Sequence, residues 1–525
     1  MKRKLVIAGA VIACAAACQM IHADTAQAAK KYTISKSTKP CNSAYIKEKG
    51  YNSKSKNYYT IKSYLEKLKK QGGGTLVLKK GTYKICSTLT VPSNVTIQLK
   101  NGVVLKKTDK TGSKSLKAGK VMFKLTSAKA KDYKGTKKVV ITSNKKATID
   151  LGKVKNAVAI DMGHNYNVSI SNLKFRNKNA GTYINVAGSR TVKVTNCTFQ
   201  GNKNYTGGSY QAAVMVNAYK STPCNTVTID GNTFTDLENG IRSTKYKKEV
   251  YAEGITIRNN KFKNMEISAV TGKMWTGAAL TGNTIYRGDA AKGTAFAFQM
   301  YSMTEPEISG NTIDKCRTPI YFGRASKVDN SISAAKISSM ENNTVTDAVV
   351  YYVIQKHDAE SRLLYFKDKN EKDFRITPET TPYRGHYETT SGYTANSGQA
   401  KTYYVFRSYM EQLEYTGGGT ITVAAGTYTL SHSVCIPSNV TVNFEDGVKI
   451  QKEKAVNTNL ATNKTMFELV PPSKEGVKNS IGGYNGSQNV TLQGNGSTIF
   501  DCAYTLNAMA VVMGHAQNIN IRNIA

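Results

Sequence analysis

Carboxylates and cations crowd into one stretch of the sequence: Asp230, Asp236, Glu238, Arg242 and Lys245 are followed by Glu249, Glu253, Arg258 and Glu266. Such a set can do two kinds of chemistry. Paired carboxylates can serve as acid and base across a glycosidic bond. Facing carboxylates can instead hold a hard divalent cation, which acidifies a proton beside a bound carboxylate. On this reading Asp236, Glu238 and Arg242 are the candidate catalytic groups, Asp230 and Glu253 the candidate ligands for Ca²⁺, and Lys245 and Arg258 cations for an acidic substrate. Arg317 and Arg324 add two further substrate cations. Trp275, the single tryptophan, joins Tyr286, Tyr301 and Tyr321 as ring faces on which a sugar could stack. The run Gln211-Ala212-Ala213-Val214-Met215-Val216-Asn217 points the other way, because it places no acid on its strand. The same charges also suit ordinary surface turns, and the same aromatics suit packing.

These residues act together only if the chain stacks positions some thirty residues apart. A repeat of that length is present. Short segments closing on an apolar residue recur at 167–175, 191–199, 226–234, 254–262, 278–285, 305–313 and 336–345, and the closing residues lie 23 to 35 positions apart. This period marks a solenoid in which each coil adds one inward side chain to a continuous column. Val, Ile and Thr dominate and a leucine-rich spacing is absent, so the coils are read as β rather than leucine-rich repeats. Asn172, Asn196, Asn232, Asn260, Asn283, Asn311 and Asn343 precede the closing residues. They are read as turn residues that accept left-handed backbone and whose amides satisfy one another along the axis.

A longer repeat lies over the shorter one. Gln71-Gly72-Gly73-Gly74-Thr75 through Gly81-Thr82-Tyr83 recurs as Thr416-Gly417-Gly418-Gly419-Thr420 through Gly426-Thr427-Tyr428, an offset of 345. Pro92-Ser93-Asn94-Val95-Thr96 falls on Pro437-Ser438-Asn439-Val440-Thr441, and after a six-residue insertion Met162-Gly163-His164 falls on Met513-Gly514-His515. The histidines are read as turn residues. Ile61, Tyr64, Leu65 and Leu68 fall on one helical face, as do Phe406, Tyr409, Met410 and Leu413, so an amphipathic helix is expected to open each copy. The expected layout is a signal peptide at 1–28, a lead segment at 29–57, a first β-helix at 58–357, a linker at 358–400 and the start of a second β-helix at 401–525. Ala525 aligns one residue before a coil-closing position, so the second copy is expected to be truncated.

The opening residues carry Lys2, Arg3 and Lys4, an apolar run from Leu5 to Ala17 and the small residues Ala26-Gln27-Ala28, the layout of a secretory signal. Cys14 and Cys18 also allow a lipid-anchored start. No later segment is long and apolar enough for a membrane-spanning helix. The formal charge of +38 is mostly lysine and is read as a diffuse positive field along the whole chain. Together with export, this disfavours nucleic acid as a partner and points to an acidic polysaccharide or anionic wall polymer. The scattered cysteines, Cys41 to Cys502, show no metal-site spacing and no disulfide framework.

The helix, the Gly-Gly-Gly-Thr and Gly-Thr-Tyr elements, the Pro-Ser-Asn-Val-Thr strand and the Asn-containing coils together resemble the pectate-lyase-like superfamily of right-handed parallel β-helix proteins, most of all secreted members from Gram-positive bacteria. The resemblance covers nearly all of the chain after the signal. It implies an all-β solenoid fold of two tandem copies, each with an N-terminal capping helix. It leaves activity open, since the scaffold carries lyases, hydrolases and noncatalytic proteins. Arg317-Thr318-Pro319 with Arg324 is similar to the lyase Arg-x-Pro-x-x-Arg signature, with the second arginine two positions late. Met-Gly-His echoes only part of the polygalacturonase motifs, and their acidic elements do not occur. The expectation is an exported or cell-surface protein that binds or degrades uronic-acid polysaccharide, with lyase chemistry as the enzymatic version and a noncatalytic stalk or adhesin as the alternative.

Overall fold

A computed structural model describes residues 30–525 apart from Ala128, Arg324 and the segments 202–211, 248–249, 288–295, 326–341, 347, 349–353, 356–370, 384–386, 388–397, 454–462 and 477–480. The signal segment, Glu249 and Arg324 lie outside the described residues. The chain is an all-β coil in which the described strands all pair in parallel, as a repeat of this length demands. Coiling of parallel strands is right-handed in nearly all known cases, because a right-twisted strand returns to its own sheet most readily that way.

Three ladders run along the first set of rungs. The first starts at Lys31–Ile34 and continues through Gly74–Leu78, Val95–Leu99, the opening residues of Lys137–Asp150, Tyr166–Arg176, Arg190–Thr195, Asn225–Asp230 and Ala252–Arg258. The second holds Gly81–Ile85, Val103–Lys107, Thr198–Gln200 and the opening residues of Thr233–Arg242 and Lys261–Lys273. The third stacks Val121–Lys124, Val158–Asp161, Thr182–Ala187 and Ala212–Asn217 under the later residues of Thr233–Arg242 and Lys261–Lys273, then Phe296–Tyr301 and Thr318–Gly323.

The register places the coil-closing residues directly over one another. Phe175, Phe199, Phe234 and Phe262 form a column with ring centroids 4.9, 4.8 and 4.6 Å apart and planes within 15° of parallel. Ile285, Ile313 and Val345 extend it. The stacking distance is the spacing of neighbouring strands, so equivalent side chains meet on successive rungs.

The asparagines divide into two kinds, which corrects the single role expected for them. Asn172 and Asn196 are the left-handed turn residues, with φ of 57° and 53°. Asn232, Asn260, Asn283, Asn311 and Asn343 sit one position later and are buried; the turn residue beside each is Gly231, Asn259, Gly282, Gly310 or Asn342. Each buried amide donates to the next asparagine's Oδ1 at 2.9–3.1 Å, up to Asn343. Each also donates to a carbonyl of the preceding rung, as Asn260 does to Ile229 at 2.9 Å. The ladder begins where Asn232 Oδ1 accepts the backbone N–H of Cys197, which occupies the same column.

A second set of rungs uses separate ladders. One runs Asp373–Ile376, Gly419–Val423, Val440–Phe444, Gln488–Gly494 and Gln517–Arg522. The stretch expected to be a linker therefore contains a strand. Asp373–Ile376 pairs with Gly419–Val423 just as Lys31–Ile34 pairs with Gly74–Leu78, because without it the edge of the following strand would be unpaired. A helix (α1, Lys56–Lys70) packs Ile61, Leu65 and Leu68 into the first core, and another (α2, Gly398–Thr416) packs Phe406, Met410 and Leu413 into the second. Among the described residues no helix is long and apolar enough to cross a membrane.

Candidate functional site

The third ladder of the first set presents an outward row. Its inward neighbours Ile184, Val214, Ile241, Val270, Phe298 and Ile320 are all buried. The alternate positions read Lys124, Asp161, Asn185, Met215, Arg242, Thr271, Gln299 and Tyr321, one per rung. Asp161 is held by Asn185 Nδ2 at 2.8 Å and by the Thr126 hydroxyl at 3.0 Å. Past it the described row holds no carboxylate: Asn185 and Gln299 are amides, Arg242 is a cation, Tyr321 is an aromatic ring, and Met215 and Thr271 are buried.

At the far end of the row, cations and rings converge. Lys273 Nζ lies 5.1 Å from the Tyr301 ring centroid and 5.8 Å from that of Tyr246. Tyr301 and Tyr321 have centroids 5.8 Å apart, and Phe296 meets Tyr321 edge-on at 5.6 Å. Lys273, Tyr301, Tyr321, Phe296, Gln299 and Arg242 are all half-buried. Burial, and then the positive charge of Arg242, push the Lys273 amine below its ordinary range. Burial, with a smaller contribution from Tyr321, pushes the Tyr301 hydroxyl up to about 12, so it stays a neutral donor at physiological pH. A cation over a ring with further ring faces beside it suits a ligand that has an anionic group and an apolar sugar face.

The other residues singled out from the sequence are distributed differently. Asp236 has left-handed backbone and accepts Gln200 Nε2 at 3.1 Å and Asn264 Nδ2 at 2.9 Å. Glu238 is buried, and its charge opposes the lowering that burial imposes on the Lys178 amine. Both sit in the bend before the outward row, whereas Arg242 lies on the row itself. Lys245 is exposed just beyond, its N–H bonded to Asn217 Oδ1 at 3.0 Å. Arg258 makes an inter-rung ion pair with Asp230 at 2.9 Å, as Arg176 does with Asp150 at 2.9 Å. The strand register pairs Asp230 with Arg258 and Glu253 with Asn225, so the two expected Ca²⁺ ligands stand at opposite ends of paired strands, roughly 16 Å apart.

Trp275 is corrected from a sugar platform to a core residue. It is 1% exposed, and its Nε1–H donates to Ser243 Oγ at 3.0 Å. Tyr286 lies on the second ladder, under Lys315, away from Tyr301 and Tyr321. Arg317 is exposed at the foot of the strand carrying Tyr321. His164 has φ of 60° and stacks edge-on against Tyr219 at 4.9 Å, the geometry of a turn residue, and His515 has φ of 59°. Lys273, Phe296 and Gln299 went unnoticed in the sequence. For Gln299 the signal was the alternation Phe298, Gln299, Met300, Tyr301, whose first and third residues are buried; Phe296 shares the parity of the inward residues and Lys273 lies on another strand, so neither had such a signal.

Residues 132–352, under half of the chain, match the family model described as Periplasmic copper-binding protein (NosD). No curated protein matches the sequence. Among solved structures, the chain is similar to the Streptococcus pneumoniae surface protein and adhesin PfbA at 13% identity and a TM-score of 0.41, covering 89% of this chain and 95% of that one. It is similar to the iota-carrageenase of family GH82 from A. fortis at 11% identity and a TM-score of 0.39, covering 65% of this chain and 92% of that one. It is also similar to the tailspike of E. coli bacteriophage HK620 in complex with pentasaccharide, at 13% identity and a TM-score of 0.33, covering 89% of this chain and 61% of that one.

The described residues offer no copper centre built from His, Cys, Asp or Glu. Among the described residues no three His, Cys, Asp or Glu side chains gather. Within the matched stretch Cys197 and Cys224 are buried and turn their thiols to backbone carbonyls, while Cys316 is buried separately.

Proposed function

We propose that this chain is an exported, surface-located protein built from two copies of one β-helical unit, each covered at its N-terminal end by a helix, and that the first copy binds acidic polysaccharide. The observation that carries the reading is the ammonium of Lys273 poised over Tyr301, beside Tyr321 and Phe296, on a row that among the described residues carries no carboxylate past Asp161 to repel an anion. A uronic-acid sugar supplies both complements: a carboxylate for Lys273 and Arg242, and an apolar ring face for the tyrosines. Export rests on the signal-like residues 1–28.

A degradative version of this reading uses Asp236, Glu238 and Arg242 as catalytic groups with Lys245, Arg317 and Arg324 gripping the polymer, and draws on Ca²⁺ held by Asp230 and Glu253. Geometry favours binding over elimination, since Asp230 is already occupied by Arg258 and Glu253 lies far along the strand. The stalk reading is supported by the unbroken Phe and Asn columns, which stiffen the coil along its axis.

The test is retention of the purified chain on immobilised uronan with and without Ca²⁺. Tyr301→Ala and Lys273→Ala are each expected to weaken binding about tenfold without producing or abolishing unsaturated ends. Binding indifferent to both substitutions would overturn the proposal, and release of unsaturated ends would move it to the lyase version.

A further inference from the structure

The positive charge is not spread evenly, contrary to the sequence reading. Backbone bonds define matched positions in the two sets of rungs: Thr75 N–H donates to Lys30 at 2.8 Å, and Thr420 N–H to Lys372 at 2.7 Å. At the other end, Asp150 pairs with Lys106 and Asp501 with Gln451. Between Lys30 and Asp150 there are 30 lysines, no arginine and five carboxylates. Between Lys372 and Asp501 there are 11 basic and 11 acidic residues. The same coil therefore bears a formal charge of +25 in one place and zero in the other.

Part of that excess lines one edge, the turn between the first and second ladders. The stem of Lys36 lies across Gly81, where a β-carbon would meet Lys36 Cγ at 2.9 Å, and the stem of Lys80 lies across Gly102, where the same distance is 2.9 Å. Lys79 and Lys100 follow Leu78 and Leu99, which are paired in register, and Lys145 and Lys146 continue the edge on the next rung. Lys84 and Lys106 are paired on the adjoining strand. All are exposed except Lys100, which is half-buried. In the second set Pro378 lies across Gly426 at 2.9 Å and Ala425 beside Gly447 at 3.7 Å, while Ala424, Glu445 and Asp446 stand where the first set has Lys79, Lys100 and Asn101. The coil closes equally well without lysines, so the fold does not require them. Stacking like charges on successive rungs is unfavourable unless something outside the chain compensates.

We propose that this lysine edge is a docking track for a linear glycan with one carboxylate per sugar, lying parallel to the coil axis. Rungs repeat at about 4.8 Å, so an extended pyranose chain advances by about one rung per sugar and meets an ammonium at each. Lysine suits the task, being a flexible point charge that needs no planar alignment with its anion. The polymer class rests on the reading of the preceding subsection; the place does not.

The test uses the full chain and a fluorescent oligogalacturonate. One variant copies the second set's edge, Lys79→Ala, Lys80→Ala, Lys100→Glu and Asn101→Asp. A control changes the formal charge equally in an exposed loop, Lys114→Glu, Lys117→Glu and Lys120→Ala. The edge variant is expected to weaken binding about thirtyfold and to flatten its salt dependence, and the control to stay within about threefold. Equal weakening in both variants would reduce the effect to net charge and overturn the track, as would no weakening in either. Tyr301→Ala in the same assay separates the two proposals: loss there with an unaffected edge variant sinks the track and leaves the aromatic site standing, and the converse sinks the aromatic site. If the edge variant does not fold, Lys79, Lys80 and Lys100 changed to Gln replace it, with Lys114, Lys117 and Lys120 changed to Gln as the control of equal charge, and with the same outcomes.

Discussion

The two sets of rungs agree in their apolar inward positions and in some turns, and diverge at many of the positions that point out. Tyr83 donates to Lys79 at 2.7 Å and Tyr428 to Ala424 at 2.9 Å; Asn94 Nδ2 donates to Gly72 at 3.0 Å and Asn439 Nδ2 to Gly417 at 3.1 Å. Even a buried lysine recurs, Lys107 donating to Ile85 at 3.1 Å and Lys452 to Ser431 at 3.4 Å. On the helices the matched ion pairs already differ. Lys62–Glu66 is an exposed pair at 3.9 Å, whereas Arg407–Glu411 is a 3.0 Å pair whose glutamate side chain is 4% exposed and also receives Tyr387 at 2.8 Å. The difference has a local cause. The longer loop of the second set returns to the helix, with Ser473 N–H bonded to Glu414 at 2.9 Å and Glu475 3.3 Å from Arg407. Column packing fixes the inner positions; the outer ones are free to take up different partners.

Five substitutions sharpen that contrast. Arg407→Ala strands a buried carboxylate and is expected to cost about 3–5 kcal/mol, seen as an early unfolding step in a denaturant titration; a loss near zero would mean the second helix is no more tightly tied than the first.

The buried lysines give a pH signature. Burial lowers Lys107 and Lys452 from 10.5 to about 8, so the unfolded chain binds more protons between those values. Stability therefore rises with pH from about 8 towards 10.5, by up to about 3 kcal/mol per site, until tyrosine ionisation in the unfolded chain reverses it. Melting scans from pH 7 to 9.5 should show the rise, and Lys107→Met should remove its share and stabilise the chain at pH 7. Lys452→Met should gain less, because Asn463 Oδ1 and the Thr465 carbonyl also lose their donor. A flat profile in the parent chain would contradict the shift.

Asn260→Leu deprives the Asn232 and Asn260 levels of their bonds and should cost about 1–3 kcal/mol, with hydrogen exchange rising first at those two rungs rather than along the whole ladder. Lys62→Ala, the smallest change, should shift stability by no more than about 0.5 kcal/mol, measured beside Arg407→Ala.

The fold was legible because it repeats. The spacing of Phe175, Phe199, Phe234 and Phe262 announced a column, and the structure stacks those residues in register. What a single turn does was less legible, since an asparagine before a closing residue can be either the left-handed residue or the buried ladder residue one step on, and both look alike in sequence. The site was hidden for a different reason. Charge density drew attention to Asp230 and Arg258, which bind each other, and rarity drew it to Trp275, which fills the core. Lys273 and Phe296 are unremarkable in type and acquire meaning only from the rung they occupy. Tyr301 and Tyr321, named from the sequence, do meet; Tyr286 falls on another face because it belongs to another ladder.

Hydrogen exchange of the full chain with and without a saturating uronan oligomer bears on all of this at once. Protection should appear at 296–301 and 318–323 and at the lysine-bearing turns near 79–81 and 100–103, with the matched turns at 424–426 and 445–448 unchanged. Protection shared equally by both sets of rungs, or present in neither, would contradict the assignment of binding to the outward residues of the first.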